Sequence, residues 1–190
     1  MKITGGEWNG RSISAPEGMV TRPTTDLVRG AIFNTLNPMI MKWNDIVLLD
    51  GFAGSGAMTF EALSRGAHQA VLVESDQRAF QIIQKNVAYF GVKNRVTLKR
   101  TNLLALSFNK HAYQPFNLVF LDPPYDYPAE NVGRIISFLV ESGVLKRKAI
   151  VVYEHSPDRV LEIPKGFTFL KENPYGSTVV TYLQYDGVMR

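Results

Sequence analysis

The sequence predicts an α/β fold in which a doubly wound, mostly parallel sheet of seven strands ends in an antiparallel hairpin. From residue 45, short apolar runs alternate with segments of helical periodicity, as in parallel sheets joined by crossover helices. The run 118–121 is apolar throughout, which is typical of a strand buried on both faces. The last two strand patterns are joined only by Asn-Pro-Tyr-Gly-Ser, which is too short for a crossover, so one strand must be reversed.

Residues 1–44 do not follow this alternation, and we interpret them as an N-terminal appendage to a domain that spans 45–190. Glycines within 2–14 predict a small hairpin. A helix with Thr24 or Thr25 as its N-cap should follow and should end at Asn37-Pro38. Its expected apolar face consists of Leu27, Ala31, Ile32 and Leu36.

The elements of the main domain follow in order from the apolar runs and from the glycines that close the helical segments. The strands are expected at 45–52, 70–74, 95–100, 117–121, 149–153, 168–172 and 178–185. The helices are expected at 57–65, 77–90 and 129–142, with a weaker helical stretch at 103–109.

Composition narrows the class of protein. A chain of 190 residues with 45% hydrophobic and 20% charged residues is long enough for one folded domain with a proper core. The absence of cysteine and the wide spacing of the three histidines argue against a metal site. No apolar run suggests a membrane helix or a signal peptide, so we expect the protein to be cytoplasmic. We also expect it to be a monomer. The net charge of +4 weakly favours a polyanionic partner.

The strand at 117–121 stops abruptly at Asp122-Pro-Pro-Tyr125. The prolines cannot continue a sheet ladder, so a carboxylate, the Pro123 carbonyl and the Tyr125 ring are held at the carboxyl end of a strand, where open α/β sheets bind ligands. Two acceptors on the two N–H bonds of a nucleobase amine would localise its nitrogen lone pair, and Tyr125 would stack on the base. The alternative is that Asp122, Pro123, Pro124 and Tyr125 form only a turn.

A glycine-rich loop follows the first strand of the main domain, and its glycines Gly54 and Gly56 let a ligand approach the backbone closely. The loop is not a Walker phosphate loop, because no Gly-Lys-Ser/Thr follows. A dinucleotide fingerprint fits only in part, since Thr59 occupies the position of the third glycine. Asp50 precedes the loop and favours a cationic or zwitterionic ligand over a pyrophosphate. The alternative is a tight strand-to-helix turn.

The ends of the next two strands complete a site for an adenosine that carries an amino-acid tail, which is S-adenosylmethionine. Glu74 is placed to accept both ribose hydroxyls, unless it is only a surface carboxylate, and Asn102 offers an amide to an adenine edge. The residues expected to bind this cofactor are Asp50, Phe52, Ala53, Gly54, Ser55, Gly56, Glu74, Ser75, Asn102 and Leu103.

This layout resembles those class I S-adenosylmethionine-dependent methyltransferases, with Rossmann-like folds, that act on exocyclic amines. The whole chain resembles the bacterial 16S ribosomal RNA guanine-N2 methyltransferases of the RsmD type. The residues that carry the narrower resemblance are Ile3-Thr-Gly-Gly with Gly10-Arg11, Arg22-Pro-Thr-Thr-Asp-Leu-Val-Arg29, Asp50-Gly-Phe-Ala-Gly-Ser-Gly-Ala57, Glu61-Ala-Leu-Ser-Arg-Gly-Ala67, Asp122-Pro-Pro-Tyr125 and Tyr175-Gly176.

The resemblance implies a methyl transfer to the N2 amine of a guanine in 16S ribosomal RNA, held within a small-subunit particle. It implies that Asp50, Gly54 and Gly56 line the methionine side of the cofactor, Glu74 the ribose and Asn102 the adenine. Many amine methyltransferases have an aspartate where this chain has Asn102, which makes the adenine contact the weakest part of the match. The residues from 122 to 125 are implied to hold the target base.

RNA contact is expected from the appendage, at Arg11, Arg22 and Thr24, with Trp8 available to stack on an unpaired base. For Arg29, a salt bridge within its own helix is an equal alternative. Two other functions stay open at this point. One is a DNA adenine-N6 or cytosine-N4 methyltransferase, which shares Asp122-Pro-Pro-Tyr125, and the other is a non-catalytic factor that binds ribosomal RNA.

Overall fold

The computed structural model describes residues 1–15, 25–108, 113–124, 126–159 and 161–187. Three residues with predicted roles, Arg22, Thr24 and Tyr125, lie outside these ranges. The helices are α1 (Thr25–Leu36), α2 (Ala57–Ser64), α3 (Gln77–Phe90) and α4 (Ala129–Glu141), with short 3-10 turns at Trp43–Asp45 and Leu103–Ala105. The strands are β1 (Val47–Asp50), β2 (Gln69–Val73), β3 (Val96–Lys99), β4 (Phe116–Leu121), β5 (Leu145–His155), β6 (Phe167–Tyr175) and β7 (Thr178–Tyr185).

These strands form one seven-stranded sheet in the order β3-β2-β1-β4-β5-β7-β6. Strands β1 to β5 pair in parallel, and β7 is antiparallel to both of its neighbours, β5 and β6. Within the described ranges β7 is therefore the reversed strand. The fold class predicted from the sequence, a doubly wound and mostly parallel sheet that ends in an antiparallel hairpin, is confirmed.

The strand order reverses beside β1. The chain runs outward from β1 to β2 and β3 and then returns to add β4 on the other side of β1. Ligands of open α/β sheets bind outside the carboxyl ends of the strands at such a reversal. Residues that follow β1, β2 and β4 therefore meet at one edge of the sheet, which we call the carboxyl edge.

The core is divided by the sheet into two hydrophobic layers. One layer packs α1, α2, α3 and the N-terminal residues against the sheet, and it includes Ile3, Phe33, Phe60 and Ile83. The other layer packs α4 and the 3-10 turn at Leu103–Ala105 against the opposite face. The described residues of 1–44 thus share a core with the sheet. In the described part of the chain, no helix combines the length and apolar character needed to cross a membrane.

The structure confirms one expectation for the N-terminal residues and corrects another. The small hairpin expected at 2–14 is present, as an antiparallel bridge between Lys2 and Ser12 with flanking backbone hydrogen bonds from Ile3 to Arg11 and from Ile13 to Met1, and it is too short to count as a strand pair. Trp8 is buried against Phe90, with ring centroids 4.8 Å apart, so it is a core residue and does not offer a stacking surface.

The predicted apolar face of α1 is confirmed at Ile32 and Leu36 and is wrong at Leu27. Leu27 is 83% exposed, whereas Val28 is buried together with Ile32, Phe33 and Leu36. The physical reason is that α1 also buries Arg29 in an ion cluster, which fixes the rotation of the helix about its axis.

Candidate active site

The end of β1 places the Asp50 carboxylate inside the protein at the carboxyl edge of the sheet. Asp50 is 4% exposed, and its Oδ2 accepts a hydrogen bond of 2.8 Å from the hydroxyl of Thr59. The pKa of Asp50 is raised to about 7, chiefly by burial; the Thr59 hydrogen bond opposes the rise, and the negative charges of Asp122 and Glu74 add to it. The three negative charges therefore act on one another here, and a cationic ligand would be stabilised near Asp50.

The loop after β1 turns sharply into α2 and keeps one side open. Gly54 and Gly56 have φ angles of +55° and +80°, in the left-handed region that favours glycine. A Cβ at Gly56 would lie 2.7 Å from a ring carbon of Phe60, whereas a Cβ at Gly54 would meet no atom within 4 Å. Gly56 is thus needed for packing, while Gly54 borders free space on the side where a ligand can approach.

Glu74 follows β2 and holds the loop in place. Its Oε2 accepts a hydrogen bond of 2.7 Å from the backbone N–H of Gly54, and its Oε1 accepts one of 2.7 Å from the N–H of Asp76. Each carboxylate oxygen can accept more than one hydrogen bond, so Glu74 retains acceptor capacity for two hydroxyl groups. Glu74 was predicted to bind a ribose, and the structure adds that it also fixes the glycine loop.

The residues after β3 lie at the same edge. Asn102 is exposed and caps the following 3-10 turn, because its Oδ1 accepts a hydrogen bond of 2.9 Å from the N–H of Leu104. Leu103 is buried and packs closely against the loop, because a Cβ added to Gly51 would lie 2.7 Å from its Cδ2. The Asn102 side-chain NH₂ makes no hydrogen bond within the described residues, and it can donate to a ring nitrogen.

The remaining residues predicted to contact the cofactor lie in or beside the loop. Phe52 is half-buried and packs edge-on against Tyr127, with centroids 5.1 Å apart. Ala53 and Ser55 are buried, and Ser75 is exposed at the end of β2. All of them therefore belong to the carboxyl edge.

Asp122, Pro123 and Pro124 follow β4 directly. Asp122 is exposed, Pro123 is buried and Pro124 is exposed. The Pro124 carbonyl accepts a hydrogen bond of 2.9 Å from the N–H of Tyr127, which closes the turn. Among the described residues, nothing donates a hydrogen bond to the Pro123 carbonyl. The Pro123 carbonyl thus lies beside the Asp122 carboxylate, whose charge acts on Asp50.

A small pocket lies beside Asp122 and Pro123, and the end of β5 forms its far wall. The His155 ring stacks on Tyr153 with centroids 4.6 Å apart, and its two nitrogens contact the Ser156 carbonyl at 2.8 Å and the Thr181 hydroxyl at 2.9 Å. Arg159 donates a hydrogen bond to the Tyr127 carbonyl. These contacts fix the wall of the pocket.

A buried amide connects the cofactor loop to the N-terminal residues. Asn86, on α3, is 1% exposed and donates hydrogen bonds of 3.0 Å to the carbonyls of Ser14 and Ser55. Its Oδ1 accepts a third hydrogen bond, also of 3.0 Å, from the N–H of Ser14. The position of Ser55 in the loop is therefore tied to the chain segment that precedes residue 16.

Arg11 is not brought to the carboxyl edge. Its guanidinium lies over the rings of Tyr89 and Phe90, at 4.7 and 4.6 Å from their centroids. These residues end α3, which starts at the carboxyl edge and runs antiparallel to the strands, so Arg11 lies near the opposite edge. Its contact with RNA stays a prediction, and such a contact would be remote from Asp122.

Arg29 has a structural role. It is 3% exposed and forms ion pairs with Asp26 at 2.8 Å and with Glu61 at 3.3 Å. Glu61 is fully buried on α2, where it also pairs with Arg65 at 2.9 Å and accepts two hydrogen bonds from Thr4. This ion cluster, which consists of Asp26, Arg29, Glu61 and Arg65, joins the N-terminal residues to α2.

The sequence interpretation missed Thr59, Asn86 and Glu154 as parts of the site. Thr59 stands where a dinucleotide loop has its third glycine, which was a signal that this position had another task. Glu154 interrupts the apolar run of β5 in the same way that Asp122 follows the apolar run of β4. Asn86 left no local signal, because its partners are distant in sequence. Within the described ranges, no group of three or more histidine or acidic side chains is arranged to hold a metal ion.

Comparison with known proteins places the chain in a family. The family model described as Conserved hypothetical protein 95 matches residues 1–184. Ribosomal RNA small subunit methyltransferase D of Escherichia coli (strain K12) is 36% identical over 186 residues, which cover 97% of this chain and 89% of that protein. The protein of the same name from Haemophilus influenzae is 35% identical over 187 residues and covers 97% and 93%, respectively.

The solved structures agree. The Escherichia coli protein yhhF superposes with a TM-score of 0.84 at 33% identity, covering 99% of each chain. Magnesium protoporphyrin IX methyltransferase from Synechocystis, solved with bound SAM, shares the fold at 16% identity with a TM-score of 0.59. The resemblance drawn from the sequence motifs is confirmed: the chain belongs to the Conserved hypothetical protein 95 family, together with ribosomal RNA small subunit methyltransferase D of Escherichia coli.

Proposed function

We propose that this chain transfers a methyl group from S-adenosylmethionine to the exocyclic N2 amine of a guanine in 16S ribosomal RNA. The observation that carries the proposal is the position of Asp122 and the Pro123 carbonyl, beside the buried carboxylate of Asp50. The names of the relatives, ribosomal RNA small subunit methyltransferase D, support ribosomal RNA as the substrate.

The residues at the ends of β1, β2 and β3 fit the cofactor. Asp50, Glu74 and Asp122 create a site that favours a cation, and the open side of Gly54 gives a ligand access to the backbone. Asp50 and the loop would hold the methionine moiety, Glu74 the ribose and the Asn102 amide the adenine. When bound, S-adenosylmethionine supplies an electrophilic methyl group on a sulfonium.

The residues after β4 act on the amine. The Asp122 carboxylate and the Pro123 carbonyl each accept one N–H of the amine, so its nitrogen lone pair is drawn out of conjugation with the base. The amine loses one proton during or after the transfer. Tyr125, which lies outside the described ranges, would stack on the base, and Pro124 would keep the turn extended.

The appendage of residues 1–44 would contact the RNA through Arg11, Arg22 and Thr24. The folded RNA and its proteins in a small-subunit particle would supply much of the specificity. We propose a monomer that acts in the cytoplasm, where these subunits are assembled.

The test uses radiolabelled S-adenosylmethionine with three substrates: small ribosomal subunits that lack the modification, the same RNA without protein, and duplex DNA. The expected product is N2-methylguanine in the RNA. Label in DNA alone would overturn the choice of substrate. Tight cofactor binding without transfer to any of the three would overturn the reaction proposed on these substrates, and a lack of cofactor binding would favour a non-catalytic RNA-binding factor.

The assignment of Asp122 is tested by Asp122→Asn, with Asp126→Asn as the matched control in the same exposed segment. An asparagine amide can turn its donor toward the amine, so we expect transfer to fall by at least about 100-fold. Cofactor affinity should fall by no more than about three-fold, because Asp50 and Glu74 keep their carboxylates when the charge of Asp122 is lost. An active Asp122→Asn enzyme would contradict the assignment.

A further inference from the structure

A site that methylates the N2 amine of guanine must distinguish guanine from the other bases that carry an amine. Beside its amine, guanine presents the N1–H group, which donates a hydrogen bond. Adenine and cytosine instead present a ring nitrogen with a lone pair next to their amine. An acceptor beside the residues that hold the amine would therefore favour guanine and repel the other two bases. This inference rests on the function proposed above.

Glu154 lies at that position. Strands β4 and β5 are parallel, and Leu121 pairs with Tyr153 in their register. Extending the register by one residue sets Asp122 beside Glu154. Both residues line the small pocket beside Pro123, and Glu154 is half-buried.

The pleat of the sheet directs the two carboxylates to the same face. Side chains two residues apart on a strand share a face, and paired residues of parallel strands point the same way. Phe120 and Val152 pair with each other and both belong to the core layer that packs α1, α2 and α3. Asp122 and Glu154 each follow one of them by two residues. Asp50, which pairs with Phe120, points to this face as well.

The far side of the pocket is held in place by His155 and Arg159. The ring nitrogens of His155 contact Ser156 and Thr181, and Arg159 donates to the Tyr127 carbonyl. Asp122 and Glu154 are the two carboxylates among the described residues that line the pocket. With Asp122 assigned to the amine, Glu154 is placed to receive a second donor of the same base edge.

We propose that Glu154 is a specificity-determining residue that accepts a hydrogen bond from the N1–H of the target guanine. The carboxylate holds the base in register, so that the neighbouring amine meets Asp122 and the Pro123 carbonyl. With adenine or cytosine in the pocket, the same carboxylate faces a ring lone pair and the base is rejected. Glu154 thus selects the base, while Asp122 positions the reacting nitrogen.

The test compares two RNAs that differ at one base. After the methylated guanine has been mapped in the wild-type reaction, RNA is assembled by ligation with guanine or with 2-aminopurine at that position. 2-Aminopurine keeps the amine but presents a lone pair at N1 and lacks O6. The wild-type enzyme should favour guanine by about 100-fold in kcat/KM, since a site built for a donor rejects an analogue that lacks it.

The decisive variant is Glu154→Gln, whose amide can accept from N1–H or donate to a lone pair. We expect its kcat/KM on guanine to fall by about 10-fold or more and its preference for guanine over 2-aminopurine to fall to within a few-fold of unity. Cofactor affinity should not change. Because both enzymes lack a contact to O6 in the 2-aminopurine RNA, the change in preference reports on N1 alone. An unchanged preference would overturn the proposal.

Two further variants keep the test conclusive. Glu162→Gln, at an exposed position outside the pocket, should behave as wild type. If Glu154→Gln does not fold, Glu154→Asp retains an acceptor but withdraws it by one methylene. Lower turnover on guanine with the preference retained would support the proposal, and unchanged turnover would overturn it. Failure of the wild-type enzyme to label any guanine would instead contradict the proposed function.

Discussion

The Thr59 hydroxyl donates a hydrogen bond of 2.8 Å to the Asp50 carboxylate, and both side chains are buried at the start of the glycine loop. Burial raises the pKa of Asp50 to about 7, and the Thr59 hydrogen bond opposes this rise because it stabilises the charged form. Asp50 therefore changes its charge near neutral pH, at the place where the cofactor would bind.

This raised pKa predicts pH-dependent cofactor binding. A cationic ligand favours ionised Asp50, so S-adenosylmethionine affinity should increase as pH rises from about 6 to about 8 and then level off. Where Asp50 is protonated in the free protein, binding should release that proton to the solvent. Without ligand, Asp50 should make the free energy of unfolding fall as pH rises between about 4 and about 7, since the folded state holds the proton that the unfolded state has lost. Calorimetric titrations in two buffers of different ionisation enthalpy measure both the affinity and the proton release.

Thr59→Val removes the hydrogen bond with little change in volume and should move the affinity midpoint to higher pH. Asp50→Asn should bind weakly at every pH and show no midpoint. A wild-type affinity that is flat from pH 6 to pH 8 would contradict the role of Asp50.

The two loop glycines should respond differently to alanine. Gly56→Ala combines a positive φ with a Cβ at 2.7 Å from the Phe60 ring, so it should destabilise the fold by about 2–4 kcal/mol. Gly54→Ala meets open space and should cost only about 1 kcal/mol of backbone strain. It should nevertheless weaken cofactor binding, because its methyl group occupies the open side. Urea unfolding together with cofactor titration separates the two effects, and equal stability losses would refute this assignment.

The ion cluster should be worth more to stability than surface charges. Glu61→Ala removes one ion-pair partner of the buried Arg29 and should lower the free energy of unfolding by about 3–5 kcal/mol. The control, Glu141→Ala, changes an exposed glutamate on α4 and should cost no more than about 0.5 kcal/mol. If urea unfolding shows similar losses in the free energy of unfolding for the two variants, the ion cluster does not hold the N-terminal residues.

Replacement of Asn86 should affect both stability and the cofactor loop. Asn86→Asp removes the two hydrogen bonds that the amide donates to the Ser14 and Ser55 carbonyls and turns a carboxylate oxygen toward one of them. We expect a loss of about 2–3 kcal/mol in the free energy of unfolding, together with weaker cofactor binding. Asn94→Asp, in an exposed turn, is the matched control. Unchanged cofactor affinity in Asn86→Asp would show that Ser55 keeps its position without this contact.

The elements that local patterns define were predictable from the sequence. The apolar run of β4 and the prolines after it identified both the strand and the residues at its end, and α3 was predicted with the bounds that the structure has. Helical periodicity also located α1 and the burial of Ile32 and Leu36, but it was wrong at Leu27, because α1 instead buries Arg29 in an ion pair with a residue 32 positions away.

Relationships between distant elements could not be predicted. Glu154 stands beside Asp122 only because β5 is added next to β4 in one particular register, and strand order is not encoded in either strand alone. Glutamate in a helix ordinarily faces solvent, so nothing local indicated that Glu61 is fully buried.

The contacts of the first fifteen residues have a consequence for biosynthesis. Thr4 bonds to Glu61, 57 positions later, and Ser14 bonds to Asn86, 72 positions later. When these N-terminal residues leave the ribosome, the helices that will hold them have not yet been translated. These N-terminal residues are therefore translated before α2 and α3, but they can become fixed only after both helices have been made.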